Sequence, residues 1–593
     1  MDTGSRKDTD DDCCGGESAP EPRSVADFDL GPVRRSVTST STEAQAWFGR
    51  GLVWIWSFNH EEAEHCFRKA TEHDPECAMA WWGVAYAMGP YYNKQWHRFD
   101  PTELESMLAE THQASQRALA LVEEPSVPAS RERASEVERD LIRALTARHP
   151  QAEPVDDFTP WTDGYADAMR AVYADHSDDV DVAMLFAEAM LNRTPWKLWD
   201  LHTGEPAEGA DTLEILGVLE DAIDRHDRTG VNAHAGLLHL HIHALEMSLH
   251  PERATPTADR LRRLVPDADH LCHMPGHVDV RCGRYREAVV ANDRAIAAHR
   301  RYLALRGDPV RQATTMAHSQ HHKLYAAMML GDLRSSREAV DGIVDFLTED
   351  VLRVESPPMA DWVEGYVAMK VHPLIRFGRW EEILDEPFPD NRDLYCVTTA
   401  MLHYARTLAM AVLGEVAAAD TEREAFRVAV GRVPASRFVF NNTCLDILKV
   451  AAAMADGELE YRRGNFDGAF GHLRDAVRLA DDLPYDEPWG WMQPPRHALG
   501  ALLLEQGRLA EAEEAYVEDL GLDSPTTAAW HHPDNVWALH GLEECLRLQG
   551  RDDEAMALRP RLEAAAARAD IVVEASCLCR NGGTIGPGAG IDG

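Results

Sequence analysis

Three histidine pairs stand out by spacing alone: His239 and His243, His273 and His277, and His318 and His322. Within each pair the residues are four apart, and the second pair follows the first by 34 residues (273 − 239 and 277 − 243). The third follows by 45 (318 − 273), after an inserted stretch around "LALRGDPVRQATT". Imidazoles at i and i+4 sit one turn apart on one helix face and can grip a single cation. Among 28 histidines about one such pair is expected by chance; three in succession is a pattern. Nitrogen-rich sites suit copper, zinc, iron or nickel rather than magnesium or calcium. No His-Glu-x-x-His stretch points to zinc peptidase chemistry, and only Glu246 is placed as a carboxylate partner, too few for a bridged di-iron site. Copper is therefore the leading expectation, with zinc or iron next. Glu246, three residues after His243, is the candidate catalytic base, orienter or further ligand. His270 and Tyr325 are weaker candidates beside the pairs.

Such pairs need helices of constant length to bring them together. From about "TSTEAQAWF", where Thr40 and Glu43 have capping-box spacing, to about residue 570 the pattern is helical almost throughout. The helices recur. Trp47, Gly51 and Trp54, followed by Ala63, Phe67, Ala70 and Pro75, match the helix–turn–helix spacing of the tetratricopeptide repeat, about 34 residues long. Gly276, Gly283, Tyr285, Ala288 and Ala295 repeat the offsets, as do Leu499, Gly500, Gly507, Ala512 and Tyr516. The expected fold is all-α, a tetratricopeptide-like α-solenoid. Its expected parts are a disordered segment 1–40, N-terminal repeats 41–230, central histidine-bearing repeats 231–345, C-terminal repeats 346–570 and a tail 571–593. With Ala254, Ala258, Leu261 and Pro266 as second-helix markers, His239 and His243 fall on the groove side of a first helix. His241 then falls at a packing position, and His250 at the helix end, where an imidazole can meet free carbonyls.

The charge balance, 59 basic against 100 acidic residues and a net −41, excludes a nucleic-acid or anionic-membrane partner, since both require a basic footprint. No apolar run reaches membrane-spanning length, the N-terminus lacks a signal-peptide core, and eleven scattered cysteines do not form a disulfide framework. A cytoplasmic protein is expected. Phosphate-binding and serine-hydrolase motifs are absent. Trp82 and Tyr86 occupy groove positions with Tyr91 and Tyr92 nearby, as pocket lining or as inter-repeat packing. His60 and Glu64 lie on a second helix and read as structural. Cys577 and Cys579 form a C-x-C that could take a soft metal or remain a reducible pair, and a flexible tail could carry it to the groove. Cys272 flanks His273, and "LPYDEPWGWMQPPRH" (Leu483 to His497) could cover the groove.

At "HLHIHALEMSLHPERA", "HLCHMPGHVDVRCGRYREAVVAN" and "ASCLCR" the chain resembles a family of large tetratricopeptide-repeat proteins of bacteria and fungi. "FAEAMLNRTPWKLWD" and "HYARTLAM" fit it too, so the resemblance runs from about Trp47 to Arg580. It implies a solenoid around an internal histidine-lined site and hands over no reaction. Two functions follow. One is a metal-dependent oxidoreductase acting on a small organic molecule. The other is an adaptor whose groove takes peptide or protein partners; metal storage or sensing without turnover is a third. Adaptor grooves present Lys, Arg and Asn to a peptide carboxylate, whereas the groove positions of the middle repeats hold histidine.

Overall fold

The computed structural model describes residues 27–32, 35–123, 134–230, 233–306, 308–522 and 528–580. Of the segment 1–40 expected to be disordered, residues 1–26, 33 and 34 lie outside them, as does the glycine-rich end 581–593. The first pair of helices, Thr42–Trp56 and His60–His73, shows why the repeat forms. Ser41, not Thr40, caps the first helix: its side chain accepts the Ala44 N–H at 3.1 Å. Asn59 caps the second by accepting the Glu62 N–H at 3.1 Å. Such oxygens satisfy donors that the first helical turn leaves free. Gly51 lets the pair close, because a Cβ there would lie 2.6 Å from the Phe67 ring, and Gly83 of the next helix makes room for the same ring. The device returns far along the chain, where a Cβ on Gly500 would lie 2.5 Å from Tyr516. Large rings inserted at glycines set the close packing of helix on helix.

Repetition of this unit gives an all-α solenoid in which each helix packs chiefly on its sequence neighbours. Among the described residues the one sheet is a two-residue hairpin, Phe438–Val439 with Asn442–Thr443. Residues 27–32 and 35–40 lie against the first turns. Phe28 meets the Trp54 ring edge-on at 5.3 Å, and Arg35 pairs with Asp179 and Asp181 at 2.8 and 2.6 Å.

The solenoid also folds back on itself. Arg98 donates to the Phe440 carbonyl at 3.0 Å, 342 residues away. Tyr485 donates to the Glu246 carbonyl at 3.2 Å, and Arg281 to Ala529 at 2.9 Å. Loops of the second half therefore occupy the inner face of the first. None of the described helices is long and apolar enough to cross a membrane.

Candidate metal centre

Four helices carry the histidines: Ala235–Leu245, Asp269–His273, Pro275–Arg281 and Ala313–Leu330. The first is capped by His234, whose Nδ1 accepts the Leu237 N–H at 3.2 Å. The His234 Nε2–H then donates to Asp181 at 3.1 Å, the carboxylate already held by Arg35. The second and third meet at Met274, a turn residue with helical angles (φ −50°, ψ −38°), and a new first turn begins there. Pro275 is tolerated there because the first turn of a helix has no use for its missing N–H.

The pairs converge. His239, His243, His273 and His322 are 0 % exposed and His277 is 1 % exposed, while His318 is partly exposed. The His273 Nε2 lies 2.7 Å from that of His277 and 2.9 Å from that of His318, and the His239 Nε2 lies 3.1 Å from that of His270. His270, the weaker candidate, is thus a full member. Tyr325 is not; it lies beneath Trp489, ring centroids 5.4 Å apart.

The other ring nitrogens explain what these contacts are. His239 Nδ1–H donates to the Trp56 carbonyl at 2.6 Å. His243 Nδ1–H donates to Glu246 Oε1 at 2.9 Å and His277 Nδ1–H to Glu246 Oε2 at 2.5 Å. His273 Nδ1–H donates to Asn292 Oδ1 at 2.7 Å, and the Asn292 amide is oriented by its own bond to the Ala288 carbonyl at 2.9 Å. Each acceptor fixes its ring in the tautomer whose Nε2 carries a lone pair. With Glu246 ionised, His273 and His277 therefore point two lone pairs at each other at 2.7 Å. His243 Nε2 and both nitrogens of His322 are buried without a hydrogen-bond partner. A cation resolves both problems, since two nitrogens bound at 2.0–2.1 Å on a tetrahedral ion stand about 3.3 Å apart. The residues fit a transition metal.

Burial keeps these rings neutral. It lowers His243 to about 3 and His273 to about 4, and with the neighbouring imidazoles it lowers His239, His270, His277, His318 and His322 well below the usual value. Burial pushes the Glu246 carboxyl up and Arg281 opposes it. An exposed imidazole site loses metal to protons below about pH 6.5. Here protonation needs a pH near the depressed values, so metal is expected to stay bound at about pH 5 and to leave between about pH 4 and 3. The metal-free chain behaves oppositely. Its unfolded imidazoles take protons from about 6.5 downward, so the stability from neutral buried rings is complete above that pH and falls as the pH drops toward 4 and 3. Metal content and circular dichroism across this range check both statements.

An aromatic wall surrounds the rings. Phe58, Trp196 and Phe440 hold φ of 55°, 60° and 46°, the left-handed region that bulky residues avoid. All three touch the cluster: Phe58 lies 4.4 Å from His239, Trp196 5.5 Å from His243 and Phe440 6.0 Å from His318, between ring centroids. Arg98 pins the hairpin tip, stacking over Phe440 at 4.6 Å. Backbone strain of about 1–3 kcal/mol per residue persists only where the surroundings enforce it. Tyr92 adds a fourth face, 4.7 Å from His243. Tyr86 instead donates to Glu188 at 2.8 Å and stacks on Trp82, so this pair packs repeats together.

Of the remaining candidates, His60 bonds the Ala87 carbonyl at 2.8 Å and His241 bonds Thr257 at 3.0 Å. The exposed His250 pairs with Glu252 rather than with helix-end carbonyls. Cys272 faces away, its Sγ 3.5 Å from the Val265 carbonyl, and burial pushes its thiol up to about 12. Cys577 and Cys579 are joined as a disulfide. Their segment is not free to reach the histidines: Arg376 holds the Ser576 carbonyl at 3.1 Å, and Arg580 pairs with Glu544 at 2.8 Å. Tyr485 and the buried Glu487, from the loop expected to cover the groove, do reach the Glu246 side of the cluster.

Residues 44–77 match the family model described as Tetratricopeptide repeat, the pair of helices closed by Gly51 and Phe67. No curated protein matches the chain. Among solved structures, the human IFIT1 dimer with m7Gppp-AAAA is similar at 10% identity, covering 89% of this chain and 91% of that one, with a TM-score of 0.29. Yeast Tom70 is similar at 11% identity, covering 88% and 92%, TM-score 0.26. A Rap protein complexed with Competence and Sporulation Factor is similar at 11% identity, covering 66% and 98%, TM-score 0.29. The chain carries a tetratricopeptide repeat within an α-solenoid.

Proposed function

We propose that the chain is a metalloprotein whose solenoid encloses a histidine-bound transition metal, copper before zinc or iron, and that it acts as a metal-dependent oxidoreductase on a small organic molecule. One observation carries the metal reading. Four buried imidazoles give their Nδ1–H to fixed acceptors, which leaves each Nε2 a lone pair, and the Nε2 atoms of His273 and His277 lie 2.7 Å apart. His239, His243, His270, His273, His277, His318 and His322 would hold the metal, and a bound copper would supply one-electron redox chemistry. Glu246 would set the tautomers of His243 and His277 and balance the cation's charge, the orienting role among those the sequence left open. The aromatic wall would keep water out, which strengthens every electrostatic interaction inside. The proposal places the chain with the large bacterial and fungal repeat proteins that carry HMPGH-type and SCxCR segments. It also places it in the cytoplasm.

A second reading, a scaffold for peptide or protein partners, is favoured by the repeat at residues 44–77. Against a groove-binding scaffold stands the occupation of the inner face by the chain's own loops at Phe440 and Tyr485. The test is elemental analysis of untagged protein beside a His239→Ala/His273→Ala variant. Stoichiometric metal in the parent with loss in the variant is the expected result. Equal metal in both, or none in the parent, would leave the scaffold reading.

A further inference from the structure

We propose that the cluster is two metal sites, one built from His239, His243 and His270 and the other from His273, His277 and His322 with His318 beside them. This rests on the metal reading above and goes beyond it in number and division. Seven imidazoles are too many for one ion, because first-row metals in protein sites take four ligands and seldom more than six. The two all-imidazole triads share no ring, and a third grouping, His243, Glu246 and His277, joins them through the carboxylate. In each triad one ligand nitrogen per ring lies within 4.8 Å of the others, close enough for one ion. Ring centroids inside the first group stand 4.8 and 4.9 Å apart along His239–His243 and His239–His270. Inside the second they stand 4.6, 4.6 and 4.9 Å from His273 to His277, His318 and His322. Across the boundary the centroids stand 5.7 Å apart for His243–His277 and 5.8 Å for His270–His273, no farther than His243–His270 at 6.2 Å or His277–His318 at 6.0 Å inside the groups, so the division rests on the ligand nitrogens and not on the ring centres.

Two cations so close repel each other, and the fold supplies a counter-charge at the seam. Glu246, fully buried, accepts from His243 of one group through Oε1 and from His277 of the other through Oε2. One carboxylate thus orients a ligand of each ion and lowers the repulsion between the two. A simpler arrangement would load one group only and let the other pair its rings by N–H···N bonds. With Glu246 ionised the second group cannot do this, because His273 and His277 then both carry Nε2 unprotonated. In the first group His270 can donate to His239, but His243 Nε2 is then still buried without a partner. The groups also differ in access. Phe58 lies over His239 and His270, whereas His318 is partly exposed, so the second site exchanges its open position with solvent more readily.

The full chain, stripped of metal and loaded with Cu(II), tests this by metal content and by electron paramagnetic resonance spin count. Two coppers per chain are expected, with far fewer than two spins visible, since neighbouring cupric ions couple. His270→Gln and His322→Gln, which keep polar side chains in place, should each fall to one copper that is fully visible. One copper per chain in the parent, fully visible, would overturn the two-site division while leaving the metal reading intact. Loss of all copper from either single variant, with helicity unchanged, would overturn it too. No copper in the parent would remove the metal reading itself.

Discussion

Replacing Glu246 by glutamine is expected to leave the chain folded and to weaken metal binding about 10- to 100-fold, the usual cost of losing a group that orients metal ligands. The carboxylate has two acceptor oxygens and uses both, one for His243 and one for His277. An amide has one acceptor and one donor. It can satisfy one ring, but to the other it presents an N–H, and that ring must reverse its tautomer. Reversal puts the proton on Nε2 and removes a lone pair from the cluster. The substitution also removes the negative charge nearest the cations. Glu487→Gln is the control: this carboxylate is equally buried and receives the Tyr485 hydroxyl but no ligand ring, so its effect should be several-fold smaller. Competition with a chelator, with circular dichroism as the check on folding, measures both. Equal affinity in parent and Glu246→Gln would mean that the tautomers are not held from this residue.

The geometry around Glu246 is legible in the sequence only in part. The recurrence of His239 and His243 as His273 and His277 was legible because helix pairs of constant length turn a 34-residue interval into a ridge on one face. The closing of helix pairs was legible for a related reason: a small residue opposite a large one, as at Gly51 and Phe67, leaves a fixed offset. His270 breaks the four-residue rule, so spacing alone does not single it out. It lies three residues before His273, on the same side of a short helix, and joins His239 from the next repeat. Asn292 gave no signal, since its role depends on the helix Tyr285–Arg306 lying behind His273. Phe58, Trp196 and Phe440 could not be read at all. A left-handed backbone at an aromatic residue is imposed by the surroundings, and Phe440 arrives from more than a hundred residues beyond His318. The tail misled for the same reason. Its cysteines look mobile in the sequence, yet residues 576–580 are anchored by Arg376, Arg462 and Glu544, which lie far away along the chain.

Asp519→Ala should destabilise the C-terminal half by about 3–5 kcal/mol, the range for breaking a buried ionic network from one side. Asp519 is 0 % exposed and accepts from His497 Nε2 at 2.8 Å, His532 Nδ1 at 2.8 Å and Asn535 Nδ2 at 2.9 Å. Burial alone would push its carboxyl up, but the two histidines outweigh that and hold it below the usual carboxylate range. Behind His497 stands Arg376, which donates to His497 Nδ1 at 3.0 Å and to the Ser576 carbonyl at 3.1 Å. Alanine would leave both imidazole donors without an acceptor, Asn535 Nδ2 with the His532 carbonyl alone, and Arg376 without its nearest compensating charge. The Ser576–Arg580 segment should then loosen, visible as faster hydrogen exchange there and a lower urea midpoint. Asp519→Asn retains one acceptor and should cost less. Metal content should not change, because none of these groups touches the histidine cluster. If metal were lost together with the tail, the C-x-C segment would have to support the site through contacts that Arg376 and Asp519 maintain, and the two halves of the solenoid would be one cooperative unit.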